Sequence, residues 1–217
     1  TLRLVFKLPL RQVEGFVNSL FSMMDLPSRS PEQTTLSRRN KTLRPTISPA
    51  LCGKGPLDSV VDSTGLSIHG EGRWRQEKYG NHNRRGWRKL HIAVDNEGLV
   101  LSCSITDETR KDASQAPRLL KTVRSRIRSF TADGGYDERG VYAAVAKHSP
   151  KASVIIPPRV NAQKSPAPTA ALKERNKHIK AISAKGVFWW RRESGYYRQS
   201  IVENSIYRYK QIIGPTL

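Results

Sequence analysis

Acidic residues are scarce in this chain. Only 18 Asp+Glu stand against 38 Lys+Arg in 217 residues, a formal charge of +20. Self-repulsion of that size opposes compaction unless a polyanion is the usual partner. Nucleic acid is therefore the leading partner class, with a ribosomal-type protein or a membrane-surface binder as the other readings. Cysteine is scarcer still: Cys52 and Cys103 alone cannot build a zinc cluster from thiolates, and free thiols in a cytoplasmic compartment are the expectation. No apolar run reaches the roughly 18 residues of a membrane span, so no transmembrane helix is expected. The opening TLRLVFKLPLRQVEG has neither a continuous apolar core nor a small-residue cleavage site, so it does not read as a signal peptide. An initiator Met is missing and the chain stops abruptly at IIGPTL, which reads as a piece of a longer protein. Internal repeats and low-complexity tracts are missing too. A hydrophobic fraction of 37%, with four Trp, seven Tyr and five Phe, is enough for a core and excludes wholesale disorder. The length fits one large domain or one and a half.

The chain opens with a helical pattern, Val13, Phe16, Val17, Leu20, Phe21 and Met24 recurring at helix spacing. After DLPSRS, Ser30 has the character of an N-cap with Pro31 at the first helical position, and the following helix carries Arg38, Arg39 and Lys41. Two helices across a short turn, the second basic, resemble a helix-turn-helix; an ordinary helical hairpin with a solvated basic face fits equally. Pro45, Pro49, Gly53, Gly55 and Pro56 mark a linker. Then LDSVVDSTGL, RKLHIAVD and LVLSCSITD read as three consecutive strands, followed by a helix in SQAPRLLKTVRSR, a strand and turn in SFTADGGYD, a helix in ERGVYAAVAKH and a short strand in KASVIIPP. That succession predicts an α/β domain with a mixed sheet. Between Arg159 and Arg192 nine Lys+Arg face one acid, Glu174, and the stretch to Lys185 reads as an exposed basic segment, a candidate DNA track. A last helix runs from about Ser200 to Ile213, with Val202, Ile206, Tyr209 and Ile213 on one face and Gly214-Pro215 as its stop. The divisions are thus 1–43 helical (DNA-binding or dimerisation), 44–57 linker, and 58–217 an α/β domain with a basic insertion near 159–192.

In so basic a chain, acids at strand ends carry information. Asp62 follows Val60-Val61, and Asp133 closes the short apolar strand of FTADGGYD. Carboxylates at neighbouring strand ends converge where open α/β sheets bind ligands. Mg²⁺ takes one or two carboxylates plus phosphate and water, and two such ions can serve the attacking and leaving oxygens of a phosphoryl transfer. Gly134-Gly135 would let a phosphate backbone come close. Each acid also has a plain reading: Asp62 and Asp133 as turn residues, Glu203 as the partner of Ser200 in a capping box. GRWRQEKYGNHNRRGWRKLH adds seven Lys+Arg with Trp74, Tyr79 and Trp87 interleaved, cations for phosphates and rings for unpaired bases. A basic hairpin with its aromatics in the core fits the same residues. His82 and His91 lack the tight pairing of a His-based metal site.

VVDSTGL, RGWRKLHIAVD, TADGGYD and GYYRQSIVENSIYRYK resemble the transposases of bacterial insertion sequences, in particular the insertion sequence five group of the DDE superfamily. The resemblance covers nearly the whole chain from LRLVFKLPLRQVEGF onward, TTLSRRNKTL included. It implies a ribonuclease H-like mixed sheet flanked by helices, preceded by the small helical segment. It implies Asp62, Asp133 and Glu203 as catalytic and Mg²⁺-binding residues, with Mn²⁺ as a substitute ion. Cleavage at transposon ends and strand transfer into target DNA would follow. In the family signature Y-x2-R-x3-E-x6-K, Tyr196, Glu203 and Lys210 hold their places, while Gln199 stands at the Arg place with Arg198 beside it. Glutamine keeps hydrogen bonding but loses the charge and the fork of Arg. Arg84, Arg85, Arg88, Lys89, Tyr196, Arg198 and Lys210 are the candidate DNA contacts, and Ser63 and Tyr136 neighbour the acids as orienting groups. The implied partners are DNA, both terminal inverted repeats and target, and a second copy in a full-length homodimer. No membrane is involved, and a cytoplasmic, nucleoid-associated location follows. The family extends further at both ends, so the catalytic domain reads as truncated at its C-terminus. Rival readings are an inactive truncated transposase acting as a DNA-binding protein, a metal-dependent nuclease of the same fold, and an RNA-binding structural protein.

Overall fold

A computed structural model describes residues 2–43, 55–68, 87–166 and 168–214. They form two compact units, the N-terminal helices with Tyr209–Gly214, and residues 55–208. The linker before residue 55 and the basic stretch 69–86 lie outside the described residues.

The first unit contains α1 (Leu2–Val5), α2 (Leu10–Met23) and α3 (Gln33–Thr42). The apolar spacing of α2 gives a buried Val13 and sets the Phe16 ring 5.4 Å from that of Phe6. Ser30 is not the N-cap of α3. Glu32 holds that position without a side-chain cap, and the Gln33 N–H donates to Glu14 Oε2 of α2 at 2.9 Å. The Ser30 N–H donates to Asn18 Oδ1 at 2.8 Å. A free helix N-terminus needs an acceptor and favours negative charge. Here a carboxylate from the preceding helix satisfies both needs, so the local serine is released.

In the second unit, β1 (Leu57–Ser67), β2 (Trp87–Val94), β3 (Val100–Asp107), β4 (Ile127–Ala132) and β5 (Ser153–Ile155) form one sheet in the order β3-β2-β1-β4-β5. The pairs β1–β2 and β2–β3 are antiparallel, while β1–β4 and β4–β5 are parallel. This is the expected α/β mixed sheet, consistent with the ribonuclease H-like fold. Parallel strands require crossovers, and α4 (Ala116–Thr122) and α5 (Arg139–His148) supply them.

The pleat divides consecutive residues between two faces. Val61, Ala93, Leu101, Phe130 and Ala132 pack with Leu119 and Leu120 of α4 and with Val141, Tyr142 and Val145 of α5. Val60, Ile92 and Val94 pack instead against Val202 and Ile206 of α8 (Gln199–Ile212). The β2–β3 turn lies against that helix, and Ser205 donates to the Gly98 carbonyl at 3.3 Å. Gly98 has φ +80, a conformation that favours glycine, and a Cβ there would come within 2.9 Å of Ser205 Oγ and displace that hydroxyl.

The basic segment over 159–185 is exposed or half-buried as expected, apart from Leu172, and it is also helical and anchored. Residues Ala170–Lys185 form a helix, α6, followed by α7 (Val187–Ser194), and α6 is anchored as well as solvated. Leu172 is buried, Glu174 accepts from the Val154 N–H at 2.9 Å, and Arg175 grips Asp137 through Nε at 2.7 Å and Nη2 at 2.9 Å. The Trp190 ring N–H of α7 donates to His178 Nδ1 at 2.9 Å. That leaves His178 Nε2 to carry the proton and donate to the Val154 carbonyl at 2.8 Å. The helix docks through polar contacts, so no apolar stripe signals it.

Asp137 is fully buried and also accepts from the Tyr142 hydroxyl at 3.2 Å. Asp137→Ala and Arg175→Ala should each destabilise the fold by about 3–5 kcal/mol, because each leaves a desolvated partner charge. The double mutant should cost clearly less than the sum, as urea unfolding of the four proteins will report.

Candidate active site

The last paired residues of the parallel β1–β4 ladder are Val61 and Ala132. Asp62 and Asp133 come next, so the topology sets two carboxylates side by side where the central strands leave register. Asp62 lies within β1 and is not a turn residue; its Oδ1 accepts from the Ser63 N–H at 2.7 Å. Asp133, the second candidate, does open a turn. Its Oδ1 accepts from the Gly135 N–H at 3.1 Å and its carbonyl from the Tyr136 N–H at 3.1 Å. A Cβ on Gly135 would stand 3.1 Å from Asp133 Oδ1, so that glycine makes room for the carboxylate itself.

The third acid comes from α8. Gln199, buried in its first turn, donates through Nε2 to the Val61 carbonyl at 3.2 Å. This pins the helix one residue before Asp62. One turn further on, Glu203 is exposed. The capping box does not form: Ser200 lies inside the helix and its hydroxyl donates to the Tyr197 carbonyl at 2.9 Å. Glu203 is thereby left free for other work.

Negative charge is crowded here. Burial pushes the Asp62 pKa up to about 6, against the Ser63 N–H, with the charges of Asp133, Glu203 and Asp112 adding to the rise. Asp133 is raised as well, by burial first and by Asp112, against the Gly135 and Tyr136 N–H groups. Tyr196 belongs to the same neighbourhood: burial and then Asp133 lead the rise of its phenol, with Glu203 and Asp62 contributing. Its ring lies 5.5 Å from Trp190 and 5.8 Å from the Arg191 guanidinium.

Among the described residues no three of His, Cys, Asp and Glu are gathered closely enough to cage a metal ion by themselves. The Asp62–Asp133 pair nevertheless fits a hard divalent cation. Both carboxylates are held above their usual pKa by lost hydration first and then by neighbouring acids, Asp133 foremost at Asp62 and Asp112 at Asp133, and Mg²⁺ needs only one or two of them beside phosphate and water.

The candidate DNA contacts scatter. Arg84 and Arg85 lie outside the described residues. Arg88 is ion-paired with Asp107 across the β2–β3 ladder. Lys89 donates to Asp112 Oδ1 at 3.2 Å and to the Arg110 carbonyl at 2.9 Å. Arg198 is half exposed, 3.8 Å from Asp58. Lys210 belongs to the first unit. Gln199, at the Arg place of the signature, is buried beneath the acids and bonded to backbone.

The sequence reading missed Asp112. It opens a 3₁₀ turn (Asp112–Gln115), an ordinary place for Asp, so nothing local distinguishes it. Tyr136, the sequence neighbour of the acids, is buried, its hydroxyl has no hydrogen-bond partner, and burial followed by Asp112, Asp62 and Asp133 pushes its pKa well up.

A family model described as Transposase DDE domain matches residues 53–214. The chain belongs to the DDE transposase family. A second model with the same description matches residues 1–71. Membership makes this a DNA-processing enzyme family with a divalent-metal requirement, and DNA is the partner class that explains the +20 charge. No helix among the described residues is long and apolar enough to cross a membrane.

A transposase that crowds acids in this way should be stabilised by losing one. Because the folded pKa of Asp62 lies above the unfolded value of 3.8, its stabilising contribution is complete below pH 3.8 and is lost as pH rises through about 6. Asp62→Asn should therefore raise metal-free stability at pH 7.5 by about 1–2 kcal/mol, allowing for partial solvent screening, and leave it unchanged near pH 4. Thermal melts at the two pH values check this.

Proposed function

We propose that this chain is the catalytic part of a Mg²⁺-dependent transposase of the insertion sequence five group, which cuts transposon ends and joins them to target DNA. The observation that supports this best is the placement of Asp62 and Asp133 on adjacent ends of the central parallel strands, with the charge of Glu203 felt at Asp62. In this reading Asp62, Asp133 and Glu203 hold the cation, with Mn²⁺ as a substitute. The bound metal would supply charge neutralisation at the phosphate and activation of the attacking oxygen.

The side chains of the chain itself do the positioning. Gln199 fixes the first turn of α8 to β1, and the Asp133 turn fixes its carboxylate on the Gly135 N–H. Ser63 orients Asp62 through its backbone N–H. Tyr196 and Arg198 stand before the acids on the 3₁₀ turn that leads into α8 and meet the DNA end. Arg84, Arg85, Arg88, Lys89 and Lys210 neutralise phosphates, with salt-dependent affinity.

Residues 1–43 would bind terminal repeats or a second subunit, 44–57 would link, and 58–217 would carry catalysis, with the basic stretch 159–192 tracking DNA. The complete protein acts as a homodimer in the cytoplasm at the nucleoid. One observation favours a second reading, a truncated transposase that only binds DNA: the buried Gln199 offers no charge to a DNA end. A nuclease of the same fold would cut without joining.

Supercoiled plasmid nicking with Mg²⁺ should be seen with the parent chain and fall at least about a thousandfold in Asp133→Ala, consistent with loss of a metal-held transition state. Chelation should abolish it and Mn²⁺ restore it. At subsaturating Mg²⁺ the rate should drop as pH falls below about 6, where protons compete with the ion for Asp62. DNA binding without nicking in either protein would establish the binding-only reading, and joining of a labelled end separates transposase from nuclease.

A further inference from the structure

The outward side of α6 and α7 carries cations and an open aromatic ring that neither the fold nor the acid site uses. On α6, Lys173, Lys177 and Lys180 recur at helical spacing over roughly 10 Å, and all three are exposed. No ion pair among the described residues involves them. Lys177, Lys180 and Lys185 rim a hollow of about 320 Å³ floored by Ala181, Ala184 and Trp189, and Lys185 Nζ lies 4.0 Å from the Trp189 ring centroid. On α7, Trp190 is buried, whereas Phe188, roughly 200° around the helix, is 73% exposed. Arg191 and Arg192, three and four residues on, share the Phe188 side and are exposed. The acids of the two helices stand apart: Glu174 accepts from the Val154 N–H, and Glu193 falls roughly 140° around α7 from Phe188.

Free cations select a polyanion, and the ring narrows which one. In a duplex each base face is covered by its neighbours, so the lysines and arginines could serve it and Phe188 could not. An unpaired strand offers open base faces, and a base stacked on an aromatic ring takes both out of water. We propose that this surface binds an unpaired DNA strand. Phe188 stacks on one base, Arg191 and Arg192 hold the phosphates beside it, and Lys177, Lys180 and Lys185 seat a neighbouring nucleotide on the apolar floor. This rests on reading the basic stretch 159–192 as facing DNA, and gives that stretch a preference for strand over duplex.

The test is fluorescence polarisation of the full chain with a labelled DNA strand of about 12 nucleotides and with the same strand in a duplex. Phe188→Ala should weaken strand binding about tenfold and duplex binding less than about twofold, and Phe188→Trp should keep the parent's affinity for the strand. Lys177→Gln combined with Lys180→Gln should weaken both and flatten the salt dependence of strand binding by a slope of about 1.4. An RNA strand of the same sequence should bind no more tightly than the DNA; tighter binding would overturn the assignment to DNA. Equal loss of strand and duplex in Phe188→Ala, or no loss in either, would overturn the inference. If Phe188→Ala fails to fold, Phe188→Leu, which keeps the bulk without the ring, decides in its place. A failed Phe188 result with the lysine effect intact sinks this inference alone; a double lysine variant that binds strand and duplex like the parent removes the DNA-facing reading beneath it.

Discussion

The parallel pairing of β1 with β4 is the constraint on which the rest depends. Backbone hydrogen bonds hold the two central strands at fixed spacing and register, and that register delivers Asp62 and Asp133 to the same edge. Like charges left to themselves would separate: Asp133 pushes Asp62 toward protonation, and Asp112 pushes Asp133. The buried apolar residues on both sides of the sheet, Val61, Phe130 and Ala132 on one and Val60, Ile92 and Val94 on the other, keep them together. Repulsion in the site is thus maintained by hydrophobic burial, a stability–function exchange.

The chain as a whole is strongly cationic, yet five of its acids are buried or half-buried at structural points: the strand-end pair, Asp112 in the 3₁₀ turn after β3, Asp58 at the start of β1 and Asp137 under α6. Each is handled differently. Asp58 is buried, which opposes ionisation, but Ser129, Asn96 and the neighbouring Arg128 and Arg198 outweigh that and hold its pKa below the ordinary value. Asp137 is matched by Arg175. Asp62 and Asp133 alone combine burial with like-charged neighbours and no basic side chain among the causes of their shifts. This missing compensation sets the two apart, since strand-end position is shared with ordinary turn residues.

The sheet was legible because strand signals are local: β-branched runs in VVD and HIAV, and the turn residues between them. The strand-end acids were legible for the same reason, and the family resemblance named the third. Glu203 could not be settled from Ser200-Ile-Val-Glu203, because whether a capping box forms depends on where the helix starts, and a 3₁₀ turn upstream moves that start to Gln199. Asp112 and the Glu14 cap on α3 were invisible because their partners lie far off in sequence. The exposure of the basic segment was legible, since Leu172 alone is buried among its described residues from 159 to 185; its half-buried anchors Glu174, Arg175 and His178 were not, because those residue types ordinarily read as solvated.

The His178 ring shows what such docking implies for the chain's tolerance of change. One imidazole simultaneously serves a strand carbonyl and an indole on the next helix, with Gly186 at φ +82 turning the chain between the two helices. Inserting or deleting a residue inside either helix would rotate one partner by about 100° and break the relay. The loop between β5 and α6 is tied to the same helix: the Ser165 N–H donates to Asn176 Oδ1 at 3.0 Å, its carbonyl accepts from Asn176 Nδ2 at 3.0 Å, and the Gln163 carbonyl accepts from Arg175 at 2.9 Å. The polar relay acts as a ruler that fixes the spacing of two helices.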